Sequence, residues 1–109
     1  MLGYDGFEFI IRLARVLKLK GENGFADQIK RSGTRISANI SEGNHPQSRA
    51  DMISKFEIAL KEANETENWL TVFRNSELID ESVFDPIHKK VVKIKILLIS
   101  SIKTLKGIV

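Results

Sequence analysis

The stretch Phe25-Ala-Asp-Gln28-Ile29-Lys-Arg31-Ser-Gly33-Thr-Arg35-Ile36-Ser-Ala-Asn39-Ile40-Ser-Glu42-Gly43 decides the fold, because one segment carries two stripes at helical spacing. Phe25, Ile29, Gly33, Ile36 and Ile40 share a narrow arc when each residue advances the helix by about 100°. Gln28, Arg31, Arg35, Asn39 and Glu42 share a second arc, roughly 80–160° from the first. An ordinary surface face is rich in Lys and Glu, whereas this one is rich in forked hydrogen-bonding groups. The small residues Ser32, Gly33, Ser37 and Ala38 permit close approach of a neighbouring helix. The polar stripe then has three readings: a network fixing helix register, the lining of a subunit interface, or a presentation of Arg31 and Arg35 to phosphates. Glu67 is the expected partner for this stripe from the following helix.

Outward from this segment, every periodic stretch has the helical period and none alternates as a strand does. Helix 1 is expected from about Asp5 to Leu19, with Phe7, Ile10, Ile11, Ala14 and Leu17 inward. Gly21-Glu-Asn-Gly24 breaks it, Asn23 is placed to cap helix 2, and Gly43 to end helix 2 in the left-handed conformation. Ser48-Arg-Ala-Asp51 has the spacing of a capping box, with Asp in place of the usual Glu. Helix 3 is expected from about Arg49 to Ser76, with Met52, Phe56, Ala59, Ala63, Thr66 and Leu70 inward. The turn from Asp80 to Pro86 puts proline in the opening turn of helix 4, which continues to about Lys106. Its core arc is Ile87, Val91, Ile94, Leu97, Leu98, Ile102 and Leu105. Long amphipathic helices joined by short connections imply an all-α, up-and-down antiparallel four-helix bundle, one domain over residues 1–109.

Two helices carry more apolar surface than one core needs. Val92, Ile96 and Ile99 lie roughly opposite Ile94 on helix 4, and Ile58, Trp69 and Val72 lie away from the inner face of helix 3. Such a set left in water marks an interface, so a homo-oligomer is expected. The rival reading is scattered surface apolar residues, which are common.

Charge is unevenly spread around a net of +3. Residues 50–80 carry three Lys/Arg against seven Asp/Glu, and residues 81–109 carry six against two. This basic strip suits nucleic acid or an acidic partner, or else offsets the acidic middle segment of its own or a neighbouring chain. The chain has no cysteine, which removes disulfides and thiolate metal sites and makes a cytoplasmic location the expectation. No export signal and no apolar run of membrane-spanning length is read.

Catalytic chemistry finds little footing. His45 and His88 have no nucleophile and carboxylate arranged around them, and are read as solvated residues near helix starts. No Gly-rich phosphate loop, metal-ligand spacing or Glu-x-x-His bundle motif occurs, so no metal, cofactor or enzymatic activity is expected. Glu62, Glu65 and Glu67 read as a solvated or salt-bridged face.

Gln28-Ile-Lys-Arg31-Ser followed by Ile36-Ser-Ala-Asn39-Ile-Ser-Glu42-Gly43 resembles the signature of the bacterial four-helix-bundle proteins encoded in 23S ribosomal RNA intervening sequences. The similarity continues through Ser48-Arg-Ala-Asp51, Phe56-Glu-Ile-Ala59-Leu60 and Glu65-Thr-Glu67-Asn-Trp-Leu70. It departs at Gly21-Glu-Asn-Gly24, where the family has an aromatic-proline-acid turn, and at Lys61-Glu62, where it has a small pair. The resemblance implies an up-and-down bundle, commonly a ring-shaped homopentamer, with no known enzymatic activity. It makes Gln28, Arg31, Asn39, Glu42 and Glu67 the family-motif polar network. The same family includes the accessory variability proteins of diversity-generating retroelements, basic pentamers that bind a reverse transcriptase and nucleic acid.

The expectation is therefore a non-enzymatic oligomer that binds RNA or a nucleic-acid-processing partner through Lys89, Lys90, Lys93, Lys95, Lys103 and Lys106, with Arg12, Arg15 and Arg35 secondary. Its rivals are an accessory subunit of a retroelement reverse transcriptase and a purely structural homo-oligomer.

Overall fold

The computed structural model describes residues 7–107, which form four helices with no strand among them. They are α1 (Glu8–Leu19), α2 (Asn23–Asn44), α3 (Arg49–Asn75) and α4 (Glu81–Leu105). Consecutive helices pack as antiparallel neighbours, in a body of 44 × 23 × 17 Å. The expected start of helix 1 at Asp5 lies outside the described residues.

Each boundary has a local cause. At the end of α1, Gly21 takes a positive φ of 81°, and the N–H of Glu22 reaches back to the Leu17 carbonyl at 2.9 Å. Glycine adopts that conformation at no steric cost, which is how helices commonly stop. Glu77 does the same after α3 with φ 61°, and the Leu78 N–H donates to the Phe73 carbonyl at 2.9 Å. Ser48 caps α3 by accepting from the Asp51 N–H at 3.0 Å, while the Asp51 carboxylate accepts from the Gln47 N–H at 3.2 Å. The expected capping box therefore forms with its return bond one residue early.

Three boundary expectations are corrected. Asn23 is the first residue of α2 rather than its cap; Glu22 holds the cap position with no side-chain bond. Pro86 lies in the second turn of α4, because Asp80 starts that helix earlier by accepting from the Val83 N–H at 3.1 Å. Proline has no N–H to return to Ser82, four residues back, but both residues are exposed and water can serve that carbonyl. Gly43 lies inside α2, and no positive φ occurs there. Its reason is space. A Cβ at Gly43 would overlap the Phe56 ring of α3, and one at Gly33 would stand 2.5 Å from Ile10 Cγ2 of α1.

The core follows the apolar arcs. All six inward residues expected on α3 are buried, as are Ile29, Ile36 and Ile40 on α2 and Val91, Ile94, Leu98 and Ile102 on α4. Ile11 is only half-buried, and Leu13 takes its place inside. Among the polar exceptions, Ser32 and Thr66 meet within the α2–α3 interface. The Thr66 hydroxyl lies 2.9 Å from both Ser32 Oγ and the Glu62 carbonyl, and Ser32 Oγ lies 3.2 Å from the Ile29 carbonyl. The two hydroxyl protons make two of these three contacts at a time, and in either arrangement each buried oxygen keeps a hydrogen bond.

Gly43→Ala is expected to destabilise the fold by about 1–3 kcal/mol through overpacking. Gly24→Ala, where a Cβ meets nothing within 4 Å, should instead stabilise it by up to about 1 kcal/mol through helix propensity. Urea-denaturation midpoints of both variants check this pair; a stabilising Gly43→Ala means the close approach of Phe56 does not exist.

Candidate nucleic-acid and assembly surfaces

Antiparallel packing along α2–α3 and α3–α4 sets which charges can meet. On the first seam Arg35 lies 3.7 Å from Glu62, and Glu42 lies 3.8 Å from Lys55. On the second, Glu67 takes Lys95 at 2.6 Å and His88 at 2.9 Å, Lys106 takes Glu57 at 2.9 Å, and Arg74 lies 3.8 Å from Glu81. Helix α3 thus supplies the acid in the Glu57, Glu62 and Glu67 contacts and the cation in the Lys55 and Arg74 contacts.

The polar stripe of α2 resolves into separate links. Gln28 is exposed beside Trp69, in a surface depression bounded by Glu22 and Phe25. Arg31 is exposed, the Asn39 amide donates to the Arg35 carbonyl at 2.8 Å, and Arg35 and Glu42 reach α3. Glu67 does not join them. It projects from the opposite flank of α3, toward α4, which corrects the expectation that it serves α2. Its carboxyl is held below the ordinary range, first by the Lys95 hydrogen bond and then, against the cost of burial, by His88. His88 is corrected too: it is half-buried, stacked on Phe84 at 4.8 Å between ring centroids. Packing against α3 explains this, since α4 already runs as a helix at His88. His45 is exposed and follows the end of α2, with Nδ1 3.1 Å from the Ser41 carbonyl.

Glu62 is the acid that sequence reasoning underrated. It is 8% exposed, its Oε1 has no hydrogen-bond partner, and its Arg35 contact is long. Burial and the nearby Glu65 push its carboxyl above the ordinary range. The signal was its place at the edge of the inner arc of α3, three residues after Ala59 and four before Thr66. Among the described residues no group of three or more His, Cys, Asp or Glu side chains is placed to hold a metal. No described helix is long and apolar enough to cross a membrane.

The expected nucleic-acid residues fall into two sets. Lys95, Lys106 and Arg35 are engaged with acids of α3, and Lys90 lies 4.9 Å from the Phe9 ring of α1. Lys89, Lys93, Lys103, Arg12 and Arg15 are exposed and make no ion pair with a described residue. The expected assembly residues also divide. Trp69 and Val72 pack against the chain's own core, Trp69 with its ring 5.8 Å from Phe25 and 6.1 Å from Phe73. Val92 is half-buried, whereas Ile58, Ile99 and above all Ile96, at 61%, are exposed.

This arrangement is an all-α bundle with acidic and basic flanks and a partly apolar outer ridge. The model of the 23S rRNA-intervening sequence protein family matches residues 3–100, and the chain belongs to that family. It is similar to a solved structure from Bacteroides thetaiotaomicron, described as a protein with unknown function from the S23 ribosomal protein family. The two are 44% identical, with 90% of this chain and 91% of that one covered and a TM-score of 0.84. No functionally curated protein matches the chain.

Two carboxyls should respond oppositely to pH. Glu67, with its folded pKa lowered from about 4.5, contributes stability that is present above that value and lost as pH falls through the folded pKa. Glu62, with its folded pKa raised, favours the fold below the unfolded value and loses that contribution as pH rises through the folded one. Glu67→Gln should therefore cost about 1–2 kcal/mol at neutral pH, and less in acid. Glu62→Gln should raise stability at neutral pH and change little in acid. Thermal melts of both variants across the acid-to-neutral range check the signs.

Proposed function

We propose that the chain is a non-enzymatic, self-assembling member of its family that binds RNA or a partner that processes nucleic acid. The observation that carries the reading is the outer face of α4, where exposed Lys89, Lys93 and Lys103 accompany the exposed Ile96 and Ile99. Cations held in no ion pair keep more of their field for an outside anion. Lys95 and Lys106 hold Glu67 and Glu57 instead, so they contribute less.

The ridge and the lysines divide the work. About the axis of α4, Val92, Ile96 and Ile99 fall within about 60° of one another with Lys103 in the same arc one turn beyond Ile99, while Lys89 and Lys93 continue toward the α1 side. Burying Ile96 and Ile99 against another copy is worth about 1.5–3 kcal/mol for each fully covered side chain. Self-association through this ridge leaves Lys89 and Lys93 at its margin, facing solution.

Contacts of this kind go to phosphate, so binding is sequence-tolerant and steeply salt-dependent. The triple variant Lys89→Glu/Lys93→Glu/Lys103→Glu should weaken binding of a labelled single-stranded RNA at least tenfold at about 50 mM salt. Unchanged affinity in that variant, or no salt dependence in the wild type, would overturn the RNA reading. For assembly, Ile96→Glu should reduce the solution mass measured by sedimentation equilibrium to that of one chain. A wild-type protein already monomeric at high concentration sinks the self-association.

A further inference from the structure

The α1–α2 seam differs from the other two in carrying no ion pair among the described residues. Arg15 and Lys18 from α1 and Lys30 from α2 line a groove of about 270 Å³ there. All three are exposed, while Ala14 and Ala26 beneath them are buried. Two alanines facing each other across a helix pair leave a depression, and the long cationic side chains stand at its rim. Asp27 lines the same groove and is exposed, yet it pairs with none of the three cations.

We infer that this groove is a phosphate-binding site which extends the basic surface of α4 around α1 and onto α2. The inference rests on the nucleic-acid reading above, and names a second element of it. Continuity supports it: Arg15, Arg12 and Phe9 follow one another at about 60° steps round α1, and Phe9 carries Lys90 of α4 on its ring. A strand lying along α4 therefore meets a cation at each step toward the groove. No aromatic side chain lines the groove, so there is no platform on which a base could stack. Recognition is by phosphate charge. Asp27 opposes it.

The test compares wild type with Arg15→Glu/Lys18→Glu/Lys30→Glu, with the α4 triple variant and with Asp27→Asn. All the altered residues are exposed, and circular dichroism of each variant is the control for folding. The probes are a labelled single-stranded oligouridylate, titrated at about 50 and 200 mM salt, and inorganic tripolyphosphate followed by amide chemical shifts. The groove variant should bind the RNA at least tenfold more weakly and lose about two units of salt slope, since each single-strand phosphate contact contributes about 0.7. Asp27→Asn should bind about twofold to threefold tighter, as removal of one repelling charge at a surface predicts. Tripolyphosphate should shift the amides of Arg15, Lys18 and Lys30.

If the α4 variant loses RNA binding while the groove variant matches wild type, the groove inference fails and the proposed function stands. If the oligouridylate does not bind wild type but tripolyphosphate shifts the groove amides, the function reading fails and the groove serves a free oligophosphate. If neither probe binds, both fall.

Discussion

The close approach of α2 to both of its neighbours is the constraint on which the remaining structure depends. Gly33 lets Ile10 of α1 press against the α2 backbone, and Gly43 admits the Phe56 ring of α3. Beside Gly33, Ser32 and Thr66 form a small, internally satisfied polar contact in the α2–α3 interface. A helix contacted so closely on two sides has little freedom to slide, because a shift of one turn would set a Cβ against Ile10 or Phe56. Register between α2 and α3 then fixes Arg35 opposite Glu62 and Glu42 opposite Lys55. The charge layout is a consequence of the packing.

That layout is lopsided. Helix α3 carries most of the paired acids and sits between α2 and α4, with Arg35, Lys95 and Lys106 as their counterions, while its own Lys55 and Arg74 meet Glu42 and Glu81. The cations that make no ion pair with a described residue are left on the outer sides of α1, α2 and α4. Proteins of modest net charge can still present a strongly one-signed face in this way, and it is the face rather than the sum that an approaching polyanion meets. Glu62 runs against the pattern, a carboxylate largely removed from water with only a long contact to Arg35. Buried ionisable groups of this kind weaken a fold unless well paired.

Much of this was legible in the residues. Helical periodicity on α2, α3 and α4 identified most core positions, since a buried arc must recur at helical spacing whatever it packs against. It missed Ala26, Phe73 and Phe84, and Ile87, Leu97 and Leu105 are only half-buried. The chain's membership of its family was readable in the run from Gln28 to Gly43. The candidate site was legible only in part. Lys89, Lys93 and Lys103 were identified as cations, but nothing local to α4 separates them from Lys95, which differs by holding Glu67. Trp69 looked surplus to the α3 core because its partner, Phe25, belongs to another helix. Lys18 and Lys30 passed unnoticed because each is an ordinary surface lysine until α1 and α2 are set side by side.

What the amino-acid order determined by itself is the set of helices, most of their inward faces and their ends to within a few residues. Those properties arise from interactions among residues within a few positions of one another. Only the tertiary structure decided why Gly43 is glycine, that His88 lies against Phe84 and Glu67, and which lysines keep no partner. Each of these depends on the register and rotation of one helix against another, and such geometry is set by side chains far apart along the chain.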